Sequence, residues 1–373
     1  HRSLRRQRQM CIRDRNKVIV VSSAMSGVTN DLIKKSKQIS NNFIDSEYDV
    51  LVSSGEQVAC SLIAGRLNHK GFKSRSWLGW QIPIFTNGPY TNSRIQQVNK
   101  NKLLRFLKEG GIPIITGFQG VNMNERVTTI GRGGSDASAI MIAKSFKAQR
   151  CIIYTDVEGV YTTDPNKLKK AKKIKVISYE EMLEMASLGA KVMQPVSIQD
   201  ARLNRINIEV KSSFIKKPGT LITKRTNLNN NRIITGISST HNDAKVTLVG
   251  VKDRPGVAAS IFKPLSINSI NVDMVVQNIS PNGKETDLTF TIKAEDLNKT
   301  KKIIQENKSI KFKKVLFQKG VSKISIIGVG MITTPVVTFR MFQSLANNKI
   351  NIQVISTSEI KISVLIDKKN TKK

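Results

Sequence analysis

The chain has 373 residues, of which 39% are hydrophobic, and this length is enough for two or three domains. No apolar run approaches the roughly 20 residues of a membrane-spanning helix, so we predict no membrane association. The formal charge of +34 is spread along the chain and only 5% of the residues are aromatic, which argues against nucleic-acid binding as the main function. Such a charge would instead favour anionic ligands.

Cysteine and histidine are too sparse to predict a metal site or a disulfide framework. The three cysteines are widely spaced, which suits a reducing cytoplasm, and the three histidines are scattered. We therefore expect a cytoplasmic protein without a metal cluster of its own. Any metal should be Mg²⁺ that arrives with a nucleotide, because this ion needs few protein ligands.

The first fifteen residues differ in composition from the rest of the chain. They hold six of the nineteen arginines and none of the forty-two lysines. This break predicts that residues 1–15 are a foreign leader, such as a cloning or assembly artefact, which does not belong to the fold. An arginine-rich transit peptide is the alternative, although the segment is short and contains little serine.

From residue 16 onward, apolar strands alternate with helices. Residues 17–21 predict a buried strand of the parallel kind, followed by a loop of small residues and a helix for which Thr29 is the expected cap. We predict a strand at residues 48–53, a loop at SSGEQ and a helix at residues 57–68. A helix at residues 102–109 then precedes GIPIITGFQG, a buried strand that ends in a glycine-rich loop.

The stretch VTTIGRGGSDASAI places three glycines and an arginine between a short strand and a helix. Residues 127–130 are β-branched and predict the strand, whereas residues 137–146 are apolar at helical spacing. Ser135 or Asp136 is the expected helix cap. Glycines at such a turn let the backbone approach a ligand closely, and Arg132 offers a planar fork for a carboxylate or phosphate.

A strand at residues 150–155 leads into the polar loop DVEGVYTTDPNK, and two more helices follow. This alternation predicts an α/β fold at residues 16–223, a three-layer sandwich with a mainly parallel sheet. Ligands of such domains bind beyond the carboxyl ends of the strands. Residues 224–232 show no apolar periodicity and predict a linker.

Two similar α+β segments follow the linker. Residues 244–278 and 322–360 each predict a strand, a Gly or Pro turn, a helix, an Ile-Asn turn and a strand, and the Ile-Asn turns lie 80 residues apart. We predict one unit at residues 233–310 and a second at residues 311–373, which stops before its closing helix.

Seven stretches together resemble aspartate kinase, in the amino acid kinase superfamily. They are VVSSAMSGVTN, SSGEQ, TGFQG, TTIGRGGSDASA, YTDVEGVYTTDP, EEMLEMASLGAKVMQP, and KDRPGVAASIF with NVDMVVQN. The resemblance covers residues 17–367. It implies the amino acid kinase fold, followed by two ferredoxin-like ACT domains that bind an amino-acid effector.

The resemblance implies transfer of the γ-phosphoryl group of MgATP to the side-chain carboxylate of L-aspartate. The product, 4-phospho-L-aspartate, would begin lysine, threonine and methionine biosynthesis. By resemblance, Arg132 binds the α-carboxylate of aspartate, while Asp136 and Glu56 face its ammonium group, and these three are the candidate catalytic residues. The other residues implied for this pocket are Ser23, Thr29, Phe118 and Ser135.

For ATP, the resemblance implies residues in the loop after the strand at residues 150–155 and at a later helix start. The implied residues also include Ser23, after the first strand, and Thr155, at the end of the strand at residues 150–155. The others are Asp156, Tyr161, Thr162, Thr163, Asp164, Pro165 and Lys191. Two departures from the family pattern stand out. Asn166 replaces a frequent arginine, and the leader stands where the family has its first strand and a Lys-Phe-Gly-Gly-Thr-Ser phosphate loop. We therefore expect weak catalysis from the chain as it stands.

The resemblance also implies an effector site between the ACT units, for lysine, threonine or both. Amides of the KDRPGV turn would bind the effector carboxylate, and Asp253 or Asp273 its ammonium group. The implied residues are Asp253, Pro255, Gly256, Val257, Ala258, Asn271, Val272, Asp273, Gln277, Val337, Thr338, Asn351, Ile352 and Ser358. ACT domains usually pair edge to edge, so a homo-oligomer or a complex with a separate regulatory subunit is expected.

Two alternatives stay open at this point. The first is an amino acid kinase with another acceptor, such as acetylglutamate, glutamate or uridylate; the stretches SSAMSGVT and EEMLEMASLGAK and the double ACT tail argue against it. The second is a non-catalytic amino-acid sensor that uses only the ACT units.

Overall fold

The structure, a computed structural model, describes residues 16–189, 192–224, 233–279, 285–307, 310–334 and 336–371. The predicted leader and residues 225–232 of the predicted linker lie outside them. The described residues form two compact units. The first comprises residues 16–161, 172–187 and 192–224, and the second comprises residues 162–171, 188–189 and the described residues from 233 onward.

The strands of the first unit belong to three sheets. Their bounds are β1 (Val20–Ser22), β2 (Ser74–Trp77), β3 (Ile84–Asn87), β4 (Arg94–Val98), β5 (Ile112–Thr116), β6 (Gln119–Val121), β7 (Val127–Thr129), β8 (Cys151–Thr155), β9 (Val176–Ser178), β10 (Ile208–Ser212) and β11 (Thr220–Thr223). The order β1-β5-β2 is parallel throughout. The sheets β8-β10-β11-β9 and β4-β3-β6-β7 mix parallel and antiparallel pairs.

Helices alternate with these strands, which confirms the predicted α/β class. Their bounds are α1 (Val28–Ile39), α2 (Asp45–His69), α3 (Asn101–Lys108), α4 (Gly134–Ser145), α5 (Tyr179–Ser187) and α6 (Pro195–Asn204). Helix α2 packs on the parallel sheet through a buried cluster that contains Val20, Cys60, Ala64, Leu67 and Ile114. In the part of the chain that is described, no helix has both the length and the apolarity to cross a membrane.

Helix α2 overturns the predicted strand at residues 48–53 and the predicted SSGEQ loop. Its buried face runs through Asp49, Val52, Glu56 and Ala59, which is helical spacing. The two serines of SSGEQ do not break the helix, because their hydroxyls donate to carbonyls one turn earlier at 3.0 and 2.7 Å. Tertiary burial therefore outweighs the local preference of Ser-Ser-Gly for a loop.

Glycines, rather than the predicted side chains, precede two helices of the first unit. Gly27 before α1 has φ 86° and Gly133 before α4 has φ 76°, both in the left-handed region that suits glycine. Neither helix has a side-chain cap. Thr29, Ser135 and Asp136 lie inside the first turns, so their predicted capping roles are wrong. Their side chains do not satisfy the helix amides and are available for other contacts.

The second unit contains one antiparallel six-stranded sheet. Its strands are β12 (Gly236–Lys252), β13 (Val272–Ile279), β14 (Glu285–Lys293), β15 (Lys314–Ile327), β16 (Val354–Ser358) and β17 (Lys361–Asp367), and its helices are α7 (Val257–Ile267), α8 (Leu297–Glu306) and α9 (Val336–Asn347). The sheet order is β13-β14-β12-β15-β17-β16. The long strands β12 and β15 pair with each other along most of their length. Because β12 belongs to the first predicted α+β unit and β15 to the second, this pairing joins the two units in a single sheet.

Replacing Gly55 on α2 tests how tightly this helix packs on α1. An added Cβ would lie 2.9 Å from Cβ of Ala24 and 3.1 Å from Cγ1 of Val28. Gly55→Ala should therefore lower the free energy of unfolding by about 1–3 kcal/mol. Gly65→Ala on the same helix meets no atom within 4 Å, and should raise that free energy by up to about 1 kcal/mol. Urea unfolding measures both, and equal effects would contradict the packing of Gly55.

Candidate active site

The loops that follow β1 and β5 leave the parallel sheet side by side. Ser22 lies opposite Thr116 in the register of the two strands, and the Gly117 amide donates to the Ser22 carbonyl at 3.0 Å. This brings Ser23, the first residue after β1, next to the loop that carries Phe118. The meeting point is at the carboxyl ends of parallel strands, where α/β folds bind ligands.

The glycine-rich loop after β7 joins the same edge through close backbone contacts. The Ile130 amide donates to the Phe118 carbonyl at 3.0 Å. A Cβ on Gly134 would lie 2.8 Å from Cδ2 of Phe118, and a Cβ on Gly117 would lie 2.9 Å from Oγ of Ser135. Both contacts need the absence of a side chain, which explains two glycines of TGFQG and GRGGSD.

Glu56 reaches these loops from α2 and not from a strand-end loop as predicted. Its Oε1 accepts a hydrogen bond from the Ala24 amide at 3.1 Å. Its Oε2 is buried and has no hydrogen-bond partner among the residues that the structure describes. Burial raises the pKa of Glu56 despite the bond from Ala24. A buried carboxylate oxygen of this kind would be stabilised by an incoming ammonium group.

Asp136 is the second carboxylate of the candidate site. It lies in the first turn of α4 and is largely buried, which raises its pKa from an ordinary 3.8 to about 6. A cation bound beside it would lower the pKa again, because an opposite charge favours the ionised form. Two carboxyl groups with raised pKa values thus flank the same group of loops.

Arg132 supplies the positive charge. Its side chain is exposed, and no carboxylate forms an ion pair with it in the described part of the chain. The flanking Gly131 and Gly133 have φ 78° and 76°, so the backbone turns sharply on both sides of it. A guanidinium on a segment that adjoins the buried Glu56 and the partly buried Asp136 suits a molecule that carries both a carboxylate and an ammonium group.

All seven predicted substrate residues lie on this group of neighbouring segments. Thr29 is in the first turn of α1, directly after Val28, which contacts Gly55 on α2. The other six belong to α2, the loops after β1, β5 and β7, and the start of α4. The structure therefore brings these residues together, and their roles stay predictions.

Only some of the residues predicted to bind the nucleotide lie in the described part of the first unit. Thr155 ends β8, its carbonyl accepts the Ser213 amide at 2.7 Å, and its hydroxyl donates to Asp156 at 3.0 Å. The Asp156 carboxylate is exposed. Tyr161 forms a β-bridge with Lys173 in the first unit. Lys191 lies outside the described residues.

The rest of the predicted nucleotide loop belongs to the second unit. These residues are Thr162, Thr163, Asp164 and Pro165. The Thr162 carbonyl accepts the Ile237 amide at 2.7 Å, and Oδ1 of Asp164 accepts the Asn166 amide at 2.9 Å. Within the described residues, no group of three or more His, Cys, Asp or Glu side chains is placed to hold a metal ion.

The predicted effector residues lie on turns and strand ends of the second unit. Gly256, with φ 86°, precedes α7, and Asp253 is exposed in the turn before it. Asp273 on β13 forms an ion pair with Lys323 on β15. Burial raises the pKa of Asp273, but the hydrogen bond and charge of Lys323 outweigh burial and hold the pKa below its ordinary value. An effector ammonium group at Asp273 would therefore have to compete with Lys323.

The remaining effector residues lie on four elements of the second unit and in the turns before three of them. Ala258 and Val257 begin α7, Val272 and Gln277 are on β13, Val337 and Thr338 are in the first turn of α9, and Ser358 ends β16. Pro255, Asn271, Asn351 and Ile352 are in the turns before α7, β13 and β16. The strands β13 and β16 form the two edges of the sheet.

Sequence reasoning missed Asp49. This residue of α2 is fully buried and binds the backbone of the loop before β4 and of β7. Its position seven residues before Glu56 would have indicated a shared helix face if a single helix had been predicted there.

Comparison with known proteins gives consistent matches along the chain. The sequence model of the amino acid kinase family matches residues 2–212, and that of an ACT domain matches residues 246–307 and 324–373. The aspartokinase of Geobacillus stearothermophilus is 42% identical over 354 residues, which is 95% of this chain and 86% of that protein.

Solved structures show the same fold. Aspartokinase III of E. coli in complex with aspartate and ADP has a TM-score of 0.81 at 24% identity, with 99% of this chain and 94% of that chain covered. The same enzyme in complex with lysine and aspartate has a TM-score of 0.77 at 24% identity, with 99% and 93% covered.

The raised pKa of Asp136 predicts a pH-dependent gain in stability for Asp136→Asn. Because the folded-state pKa is about 6 and the ordinary value is 3.8, the wild type loses stability as pH rises between these values. The variant should match the wild type below pH 4 and exceed it at pH 7.5 by about 2–3 kcal/mol. Urea unfolding at several pH values measures the difference.

The neighbouring variant Ser135→Ala is the control, since it removes a polar group that does not titrate in this range. Its effect on the free energy of unfolding should be the same at every pH. A pH-independent difference between Asp136→Asn and the wild type would contradict the environment assigned to Asp136.

Proposed function

This chain belongs to the aspartate kinase family of amino acid kinases, and we propose that it phosphorylates the side-chain carboxylate of L-aspartate with ATP. The resemblance predicted from the seven stretches is confirmed by the family matches and by the 42% identity to a curated aspartokinase. The observation that carries the proposal is the placement of Arg132, Glu56 and Asp136 on adjoining segments. Their charges complement those of an α-amino acid.

In the proposed reaction, the protein positions two anions that repel each other. The Arg132 guanidinium binds the α-carboxylate through two parallel hydrogen bonds, and Glu56 and Asp136 bind the ammonium group. This orientation leaves the side-chain carboxylate of aspartate as the nucleophile. One of its oxygens bonds to the γ-phosphorus, the bond from that phosphorus to the β,γ-bridging oxygen breaks, and ADP leaves.

The nucleotide is assigned to the loop that follows β8. Its exposed Asp156 carboxylate is an oxygen ligand of the type that Mg²⁺ prefers, and the phosphates of ATP would supply further ligands. When bound, Mg²⁺ neutralises part of the phosphate charge and so reduces its repulsion of the substrate carboxylate. Thr155 and Tyr161 would contact the nucleoside part, and Thr162, Thr163, Asp164, Pro165 and Lys191 keep their predicted roles in this proposal.

The second unit is proposed to bind a feedback effector of the pathways that begin with aspartate phosphorylation. Lysine is supported by the E. coli aspartokinase III complex with lysine, and threonine is the other expected effector. Effector binding and catalysis would be linked reciprocally, as in any allosteric protein. A homo-oligomer or a complex with a regulatory subunit through the ACT units forms part of the same proposal.

Replacing Arg132 tests the substrate assignment. Arg132→Lys turns a bidentate fork into a point charge, which should weaken aspartate affinity by about 1.5–3 kcal/mol, or roughly ten- to a hundredfold. The KM for ATP should stay nearly unchanged. Calorimetry measures aspartate binding, and a coupled assay of ADP release measures both KM values.

Arg66→Lys is the matched control, because Arg66 is exposed in the last turn of α2, ten residues and therefore about 15 Å along the helix axis from Glu56. The same assay with glutamate, acetylglutamate and uridylate tests the acceptor. ADP release with one of these and not with aspartate would overturn the proposed function, and unchanged aspartate affinity in Arg132→Lys would overturn the role of Arg132.

A substitution on β13 tests the effector site. Gln277→Ala removes an exposed amide from an edge strand of the sheet, so it should weaken effector binding and relieve inhibition together while leaving uninhibited kcat nearly unchanged. Calorimetry with lysine and threonine, paired with inhibition curves, measures this. Gln305→Ala, an exposed residue of α8, should change neither property. Loss of inhibition without weaker effector binding would exclude Gln277 as a contact.

A further inference from the structure

Asp49 is a buried carboxylate that two separate backbone segments satisfy. The Thr91 amide lies 2.9 and 3.1 Å from its two oxygens, and the Thr129 amide and hydroxyl donate at 2.8 and 2.6 Å. The side chain has no exposed surface, and no cation pairs with it among the described residues. A carboxylate in this setting holds its donors strongly, because each bond offsets the loss of hydration.

Thr91 needs this support. Its φ is 65°, in the left-handed region that β-branched residues rarely adopt. Such a conformation persists only where the surroundings determine it. Both oxygens of Asp49 accept the Thr91 amide, so the carboxylate is the group that holds this strained residue in place.

The segments that Asp49 holds adjoin the Gly131–Arg132 turn. The Thr91 carbonyl and Oδ1 of Asn92 lie 3.2 and 3.1 Å from where a Cβ on Gly131 would be. Thr129 precedes that glycine by two residues, and its carbonyl accepts the Ser93 amide at 2.9 Å. The turn that presents the Arg132 guanidinium is therefore packed directly against the structure that Asp49 organises.

The same helix face carries Glu56, seven residues further along α2. Two helical turns separate the two carboxylates, which places them on one face roughly 10 Å apart along the axis. Glu56 binds the loop after β1 through the Ala24 amide, whereas Asp49 binds the segments beside Arg132. One rigid helix thus connects the two ends of the candidate aspartate pocket.

We propose that Asp49 is a positioning residue for aspartate binding, which fixes the Arg132 turn at a set distance from Glu56 on the same helix. This inference rests on the proposed function, since it assigns the aspartate carboxylate to Arg132. Asp49 acts through Thr91 and Thr129 and does not touch the substrate.

Asp49→Asn is the direct test, because it keeps the size of the side chain but replaces one acceptor oxygen with a donor. The KM and Kd for aspartate should rise on the order of tenfold, while the KM for ATP should change by no more than about twofold. Asp45→Asn is the matched control, since it makes the same change at an exposed position of α2. Equal changes for aspartate and ATP, or equal changes in the control, would overturn the proposal.

Thr91→Gly provides a rescue test of the mechanism. Glycine adopts φ 65° without strain, so the loss caused by Asp49→Asn should be clearly smaller in the Thr91→Gly background than in the wild type. A double-mutant cycle on the aspartate Kd measures this coupling. If the two losses simply add, Asp49 does not act by holding Thr91, and the proposal is wrong.

Two further measurements keep the outcome decisive. If Asp49→Asn does not fold, Thr129→Val removes only the 2.6 Å side-chain bond, and an unchanged aspartate Kd in this variant would overturn the proposal.

If the wild type neither binds nor phosphorylates aspartate, the proposed function fails. Amide hydrogen exchange at Thr129 and Ile130 then tests the positioning alone: it should be faster in Asp49→Asn, and equal rates would overturn it.

Discussion

The burial of carboxylates on α2 is the constraint on which the candidate site depends. A buried carboxylate is tolerated only if nearby donors replace its lost hydration. Asp49 obtains its donors from Thr91 and Thr129, and Glu56 obtains one from Ala24. These bonds bring three chain segments to one helix, and Oε2 of Glu56 stays without a partner in the described structure.

Glycines make the close approach of these segments possible. Gly55 brings α2 against α1, Gly117 contacts Ser135, and Gly134 contacts Phe118, each at a distance that excludes a side chain. The strained backbone of Phe118, with φ 64°, lies at the centre of these contacts. Close packing therefore constrains the backbone of these loops, and such preorganisation would reduce the entropy lost by a ligand site formed there.

Burial of the two candidate site carboxylates makes their ionised forms unfavourable in the folded protein. The raised pKa values of Glu56 and Asp136 mean that their ionised forms are destabilised by burial. A bound ammonium group would recover that free energy. The protein would then be less stable without the ligand, but its affinity for the ligand would be higher. In the second unit, the ammonium group of Lys323 stabilises the ionised carboxylate of Asp273, so the chain itself supplies the cation there.

The sequence by itself determined the α/β alternation, the repeated α+β units and the residue types of the site. Glycine turns, apolar strands and the GRGGSD stretch are local features, and local chemistry is sufficient to predict them. Only the tertiary structure decided that residues 45–69 form one helix, because burial against the parallel sheet outweighs the loop preference of Ser-Ser-Gly. The role of Asp49 and the Asp273–Lys323 pair likewise depend on residues far apart in the chain, whose contact no local pattern records.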